Sequence, residues 1–168
     1  MKRLLTAVAV AALFASLGAP AAHAQNRTVI TQSGYANAAG SAQNGNRNGA
    51  VVNQRGGRNY ARGVQDGYRN FMRMDQYGTR NTVTTRQVGT DNFSATGQEG
   101  RNLRAETLQT GHGNVAGVAQ IGNGSRAVTD QDGVNNTSSI IQIGNGQDVE
   151  VRQRGEGNIS VVVQSGYN

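Results

Sequence analysis

Covalent chemistry has few candidates in this chain of 168 residues. It holds two histidines, His23 and His112, and no cysteine. Neither a nucleophile–histidine–carboxylate triad nor a His/Cys metal cluster can be assembled from that set. The glycines do not make a phosphate-binding loop either, because Gln-x-Gly-x-x-Asn recurs too regularly and opens no helical pattern. A calcium-binding roll needs a nonapeptide period with repeated aspartates, and ice binding needs flat threonine ladders, whereas Thr82 and Thr84 have few matching neighbours. The side chains that do recur at fixed spacing are carboxamides. Each can donate two hydrogen bonds and accept others. That is the chemistry of cohesion, and the chain is expected to be no enzyme and to need no cofactor or metal.

Composition sets what must position those amides. The chain has 24 glycines, one proline and no tryptophan; 36% is hydrophobic, 5% aromatic, and mean hydropathy is −0.54. So few large apolar side chains cannot offset the entropy of ordering so many glycines in an oily core, and composition alone points to disorder. Charge points the other way, since only 15% of residues are charged. The lack of cysteine also removes disulfides as a source of stability.

The first 24 residues read as an address. Lys2 and Arg3 precede an apolar run from Leu4 to Leu17, Gly18 and Pro20 break it, and Ala22-His23-Ala24 supplies a small-x-small cleavage pattern. The run is shorter than the roughly 20 residues of a membrane span. Export is therefore expected to leave a soluble product from Gln25 to Asn168. Its 14 arginines and 10 acids give a net charge of +4, against +6 for the whole chain.

In that product glutamine returns every 11 residues, at Gln32, Gln43, Gln54, Gln65, Gln76, Gln87, Gln98, Gln109, Gln120, Gln131, Gln142, Gln153 and Gln164. Two residues after each comes glycine: Gly34, Gly45, Gly56, Gly67, Gly78, Gly89, Gly100, Gly111, Gly122, Gly133, Gly144, Gly155 and Gly166. Five residues after comes asparagine, at Asn37, Asn48, Asn59, Asn70, Asn81, Asn92, Asn114, Asn136 and Asn158, with Leu103, Ser125 and Gln147 as departures. Two residues further on, the place is small or β-branched, from Ala39 and Ala50 to Ser160, and Met72 is its one bulky member.

The departures fall 22 residues apart, so the unit is 22 residues made of two similar halves. A right-handed coiled coil also has period 11, but glycine and asparagine in nearly every period oppose helix. Strands fit. Between asparagine and the next glutamine, alternate residues share one face, as in Asn48, Ala50, Val52 and Gln54. The four residues after each glutamine carry turn chemistry. The expected architecture is an all-β solenoid in which a seven-residue strand and a four-residue arc occur twice per rung. Two parallel, in-register sheets would face each other about 10 Å apart, with rungs about 4.8 Å apart. Residues 25–36 would form a short N-terminal segment with one half-repeat strand, and residues 37–168 six repeats in one domain.

A polar interior is tolerable only in register. A buried amide without partners costs on the order of 1–3 kcal/mol, but one stacked on an identical amide can donate to it and accept from it. The glycines are expected either to supply backbone angles that a Cβ resists or to serve a tight arc.

The spacing S-x5-Q-x-G-x2-N-x-A-x3-Q resembles the curlin repeat of curli subunits, the functional amyloid fibres of bacterial biofilms. Ser125, Gln131, Gly133, Asn136, Ser138 and Gln142 follow it, with Ser138 in place of alanine. Gln43, Gly45, Asn48, Ala50 and Gln54 fit the shared part fully, as do Gln109, Gly111, Asn114, Ala116 and Gln120. The resemblance covers residues 26–168. It implies a secreted subunit passing an outer-membrane curli secretion channel, assembling with itself and with a sister curlin subunit into cell-surface fibres for adhesion and biofilm matrix. The family's leading serine is mostly asparagine here, and repeat-like sequence begins at Asn26, where the family's major subunit carries an export segment. Both the major and the nucleating role stay open.

A solenoid's ends are sheet edges. Asn158 to Gln164 carries no charge and no proline, and Ile159, Val161 and Val163 mark its outward face. This strand is expected to template further strands, as an assembly end or as no more than a stable last strand. Residues 25–104 hold 11 arginines against 4 acids and residues 105–168 hold 3 against 6, a polarity that favours head-to-tail contact. Arg55, Arg58, Arg62, Arg69, Arg73 and Arg80 lie near Tyr60, Tyr68, Phe71 and Tyr77, a mixture that could bind nucleic acid or another polyanion or simply keep the chain soluble. A monomeric solenoid binding a surface ligand or polyanion is thus the alternative to a fibre subunit.

Overall fold

The computed structural model describes residues 25–166; the expected signal segment and the last two residues lie outside them. Thirteen strands follow one another: β1 (Arg27–Tyr35), β2 (Ala38–Asn46), β3 (Gly49–Gly57), β4 (Tyr60–Tyr68), β5 (Phe71–Thr79), β6 (Thr82–Thr90), β7 (Phe93–Arg101), β8 (Arg104–His112), β9 (Val115–Asn123), β10 (Arg126–Val134), β11 (Thr137–Asn145), β12 (Asp148–Glu156) and β13 (Ile159–Gly166). Odd-numbered strands make one parallel sheet and even-numbered strands the other. Every pairing joins residues 22 apart, such as Gln54 with Gln76 and Gln65 with Gln87. The fold is an all-β solenoid of about six turns.

Strands are longer and corners shorter than the seven-plus-four division predicts. Each strand but the last has nine residues, starts just after the asparagine place and runs through the fixed glycine, leaving a two-residue corner. The glycine bends the strand without leaving the ladder. Gly78, with φ of 113°, still pairs with Gly100. A Cβ added there would also penetrate the carbonyl oxygen of Gly100, so the backbone angle and the close stacking both demand glycine. Reversal happens two residues later, where Arg58, Arg69 and Arg80 have φ between 56° and 59° and Gly113 and Gly124 have 66° and 67°. A non-glycine residue in this left-handed region costs roughly 1 kcal/mol. Its N–H is satisfied by the preceding rung, as Arg58 donates to Tyr35 O at 3.0 Å.

Between the sheets runs a thin apolar column that includes Ala50, Val52, Ala61, Met72, Met74, Val83, Val118 and Ile140. Met72, bulky where its equivalents are small, has room because Gly63 faces it. A Cβ on Gly63 would collide with Met72 Sδ and crowd Met74 Cε. On the even-numbered sheet Thr85, Thr107 and Thr129 stack in register at the same place as Gly63. Their buried hydroxyls find no partner among the described residues.

Candidate assembly interface

The candidate site is the interior ladder and the ends where it stops. Alternation in β3 turns Ala50, Val52 and Gln54 inward, and the other strands repeat the pattern, so most of the glutamines are buried. Each carboxamide from Gln32 to Gln142 donates Nε2–H to Oε1 of the glutamine one rung on, over 2.6–3.3 Å. The second Nε2 hydrogen crosses to the other sheet. Gln87 donates to Phe71 O at 2.9 Å and Gln98 to Thr82 O at 3.1 Å, and the same bond recurs from Gln43 to Gln153. One side chain therefore ties its own column vertically and the two sheets laterally.

Asparagines work at the corners. Asn70 Oδ1 accepts the backbone N–H of Asn92 at 3.1 Å and its side-chain Nδ2–H at 3.0 Å. Asn70 Nδ2 donates to the carbonyl of Gly89 at 2.8 Å, and Asn92 likewise to Gly111 at 3.0 Å. The asparagine and glycine columns are thus one device, in which the amide holds the carbonyl exposed by the bend. Asn26, Asn48, Asn70, Asn92, Asn114, Asn136 and Asn158 fill one corner column, and the departures Leu103, Ser125 and Gln147 all fall in the other. Leu103 ends the side-chain relay there, although its backbone N–H still reaches Asn81 Oδ1 at 3.1 Å. Ser125 keeps an acceptor, its Oγ receiving the N–H of Gln147 at 3.2 Å.

Three contributors escape a reading of the repeat. The carbonyl of the first residue of each strand from β1 to β11 accepts the cross-sheet bond, and a backbone group has no sequence signature. The left-handed corner residue has mixed identity, Ala36, Arg47, Asp91, Asn102 and Gly113 among them, so no residue type marks it. Thr28 Oγ1 caps Gln43 Oε1 at 3.1 Å, and a threonine where most rungs have alanine or serine was the available signal.

The two ends differ in hydrogen-bond polarity. At the β12/β13 end Gln153 and Gln164 have no forward acceptor among the described residues. At the β1 end Gln32 Oε1 has no donor among them. In β13 the outward Ile159, Val161 and Val163 are 77%, 64% and 62% exposed. Backbone N–H groups at the first place of each strand point to the next rung, as Thr137 donates to Asn158 O at 2.8 Å. Donors alternate along a parallel ladder, so the N–H groups of Ile159, Val161 and Val163 face the open edge.

Arginines line the outside. Arg55, Arg58, Arg62, Arg69, Arg73 and Arg80 are all exposed. Arg69 pairs with Asp91 at 2.7 Å and Arg73 with Asp75 at 2.6 Å, while the other four make no ion pair among the described residues. Such exposed pairs contribute about 1 kcal/mol or less each. Tyr68 lies between the guanidinium groups of Arg47 and Arg69, 5.5 Å and 4.9 Å from its ring centre. His112 sits exposed at a corner against Thr90 Oγ1 at 2.8 Å.

A family model described as the curlin associated repeat matches residues 45–78, 100–128 and 125–155, more than half of the chain. No curated protein matches the chain. With repeated matches along a two-sheet solenoid of 22-residue turns, the chain belongs to the curlin family.

Proposed function

We propose that this protein is a secreted subunit of curli-type extracellular amyloid fibres that polymerises by end-to-end stacking and serves adhesion and biofilm matrix. The observation that carries the reading is the polarity of the glutamine ladder. One end offers amide donors from Gln153 and Gln164, and the other offers the Gln32 oxygen as acceptor. Head-to-tail addition continues the ladder, whereas head-to-head contact sets donors against donors. The basic front half and acidic back half favour the same polarity. By family, a sister curlin subunit and an outer-membrane secretion channel are its partners, and the basic start, apolar run and small-x-small site of residues 1–24 make them a removable signal peptide.

Replacing Val161 by proline tests this. The substitution removes an N–H at the open edge and leaves the bonds from β11 to β13 in place. Wild-type protein is expected to sediment as thioflavin-binding fibres, and Val161→Pro to lengthen the lag at least about tenfold on the loss of an edge donor. Equal kinetics refutes the assembly end. Wild-type protein that stays in the supernatant and retains a polyanion through its arginines instead identifies a monomeric binding module.

A further inference from the structure

The two outer faces of the solenoid are chemically unlike. On the even-numbered sheet β12 alone points Asp148, Glu150, Arg152 and Arg154 outward. On the odd-numbered sheet β9, β11 and β13 contain no ionisable residue at all. Their outward side chains include Val115, Ile121 and Ile143, which are 37–47% exposed. They are continuous with the outward valines of β13 and form one apolar patch with them.

The patch has relief that matches itself. A hollow of about 350 Å³ is floored by Ala95, Gly97, Gly117 and Ala119 on β7 and β9 and bounded on the β5 side by the Arg73–Asp75 ion pair. The corresponding places one and two rungs on carry Ser139 and Ile141 on β11 and Val161 and Val163 on β13. Ile141, Val161 and Val163 therefore stand beside the hollow at the same positions along the strand. Consider a second copy turned by half a revolution about a line along the strands, midway between β9 and β11. It lays its β13 across β7 and its β11 across β9. Val163 of that copy then covers Gly97, Val161 covers Ala95, Ile141 covers Ala119, and Ser139 covers Gly117. The contact is isologous, so both hollows fill at once. The ionised groups of the footprint, Glu99 and Arg101, both fall at its margin, Glu99 opposite Ser165 and Arg101 beyond it.

We propose that the outer face of the odd-numbered sheet over β7–β13 is a lateral interface with a second copy of this chain, antiparallel along the solenoid axis. Four strands by about 20 Å of strand length give about 400 Å² per copy, the small end for a specific contact. The pair is weak between isolated chains and gains where several subunits align.

Because the chain has no cysteine, single-cysteine proteins read the contact directly. Gly97→Cys and Val163→Cys are both tolerated, since a Cβ on Gly97 meets nothing within 4 Å and Val163 is exposed. Mild oxidation of the two proteins mixed is expected to give at least about ten times more covalent dimer than either alone, because only unlike positions meet within disulfide reach. End-to-end neighbours hold these positions several rungs apart, so the cross-link is independent of fibre growth. Adding Ala119→Lys to both proteins should abolish it. Equal dimer from either protein alone overturns the stagger, and no dimer from the mixture overturns the interface.

Discussion

Replacing Gln87 by leucine isolates the claim that stacked amides hold the interior. Leucine has nearly the volume of glutamine and suits an apolar core, and the site is fully buried. The exchange strips three groups of a partner: Gln65 Nε2, Gln109 Oε1 and Phe71 O, now bonded over 2.8–2.9 Å. Gln109 Oε1 loses its only donor, at about 1–3 kcal/mol. Gln65 Nε2 keeps its bond to Gly49 O and Phe71 O its place in the ladder, so each of those losses costs about 1 kcal/mol, and burying leucine returns about 2 kcal/mol. The net loss is about 2 kcal/mol, an appreciable share of the 5–15 kcal/mol typical of a domain. With an m-value of about 2 kcal/mol/M, the urea midpoint, followed by far-ultraviolet circular dichroism on dilute protein, falls by about 1 M. Gln164→Leu serves as comparator. It disturbs only the 3.3 Å bond from Gln142 and shifts the midpoint by less than about 0.5 M on the same scale. A Gln87→Leu midpoint at or above wild type refutes the reasoning, because the thin apolar column would then suffice.

Three further outcomes follow from particular contacts. Gly78→Ala, strained at φ 113° and blocked by the Gly100 carbonyl, should cost at least about 3 kcal/mol in urea unfolding, whereas Gly97→Ala, in open space, should fall within about 1 kcal/mol of wild type. Thr107→Val removes a buried hydroxyl without a partner among the described residues and should raise stability by about 1 kcal/mol. Raising ionic strength from about 0.05 M to about 0.5 M should slow fibre elongation by screening the attraction between basic front and acidic back, and an unchanged rate in turbidity or thioflavin assays removes charge from the assembly step.

Much of this molecule could be read from its period, for a definite reason. A buried carboxamide is acceptable only beside its own kind, so Gln32 to Gln164 had to keep one interval, and that interval announces the rung. Alternation then set which residues face inward, and Ala50 and Val52 lie as the pattern requires. Strand length was less legible, because Gly78 and its equivalents look like ends of strands and are bends within them. Arg58 and Arg80 carry no mark of the left-handed corner they occupy. The cross-sheet bond from Gln87 to Phe71 O was hidden too, since a backbone carbonyl is common to every residue. The unequal outer faces appear only after odd and even strands are sorted into separate sheets.

The one irregular pair in the column has a consequence for how the chain finds its place. Rungs with interchangeable amides could slide past one another by a whole turn and lose few bonds, leaving several arrangements close in free energy. Met72 and Met74 fit only where Gly63 leaves space, and a slipped neighbour would bring Ser41 or Thr85 there instead. The pair acts as a key among identical teeth, so the chain has one correct meshing and can count its own turns.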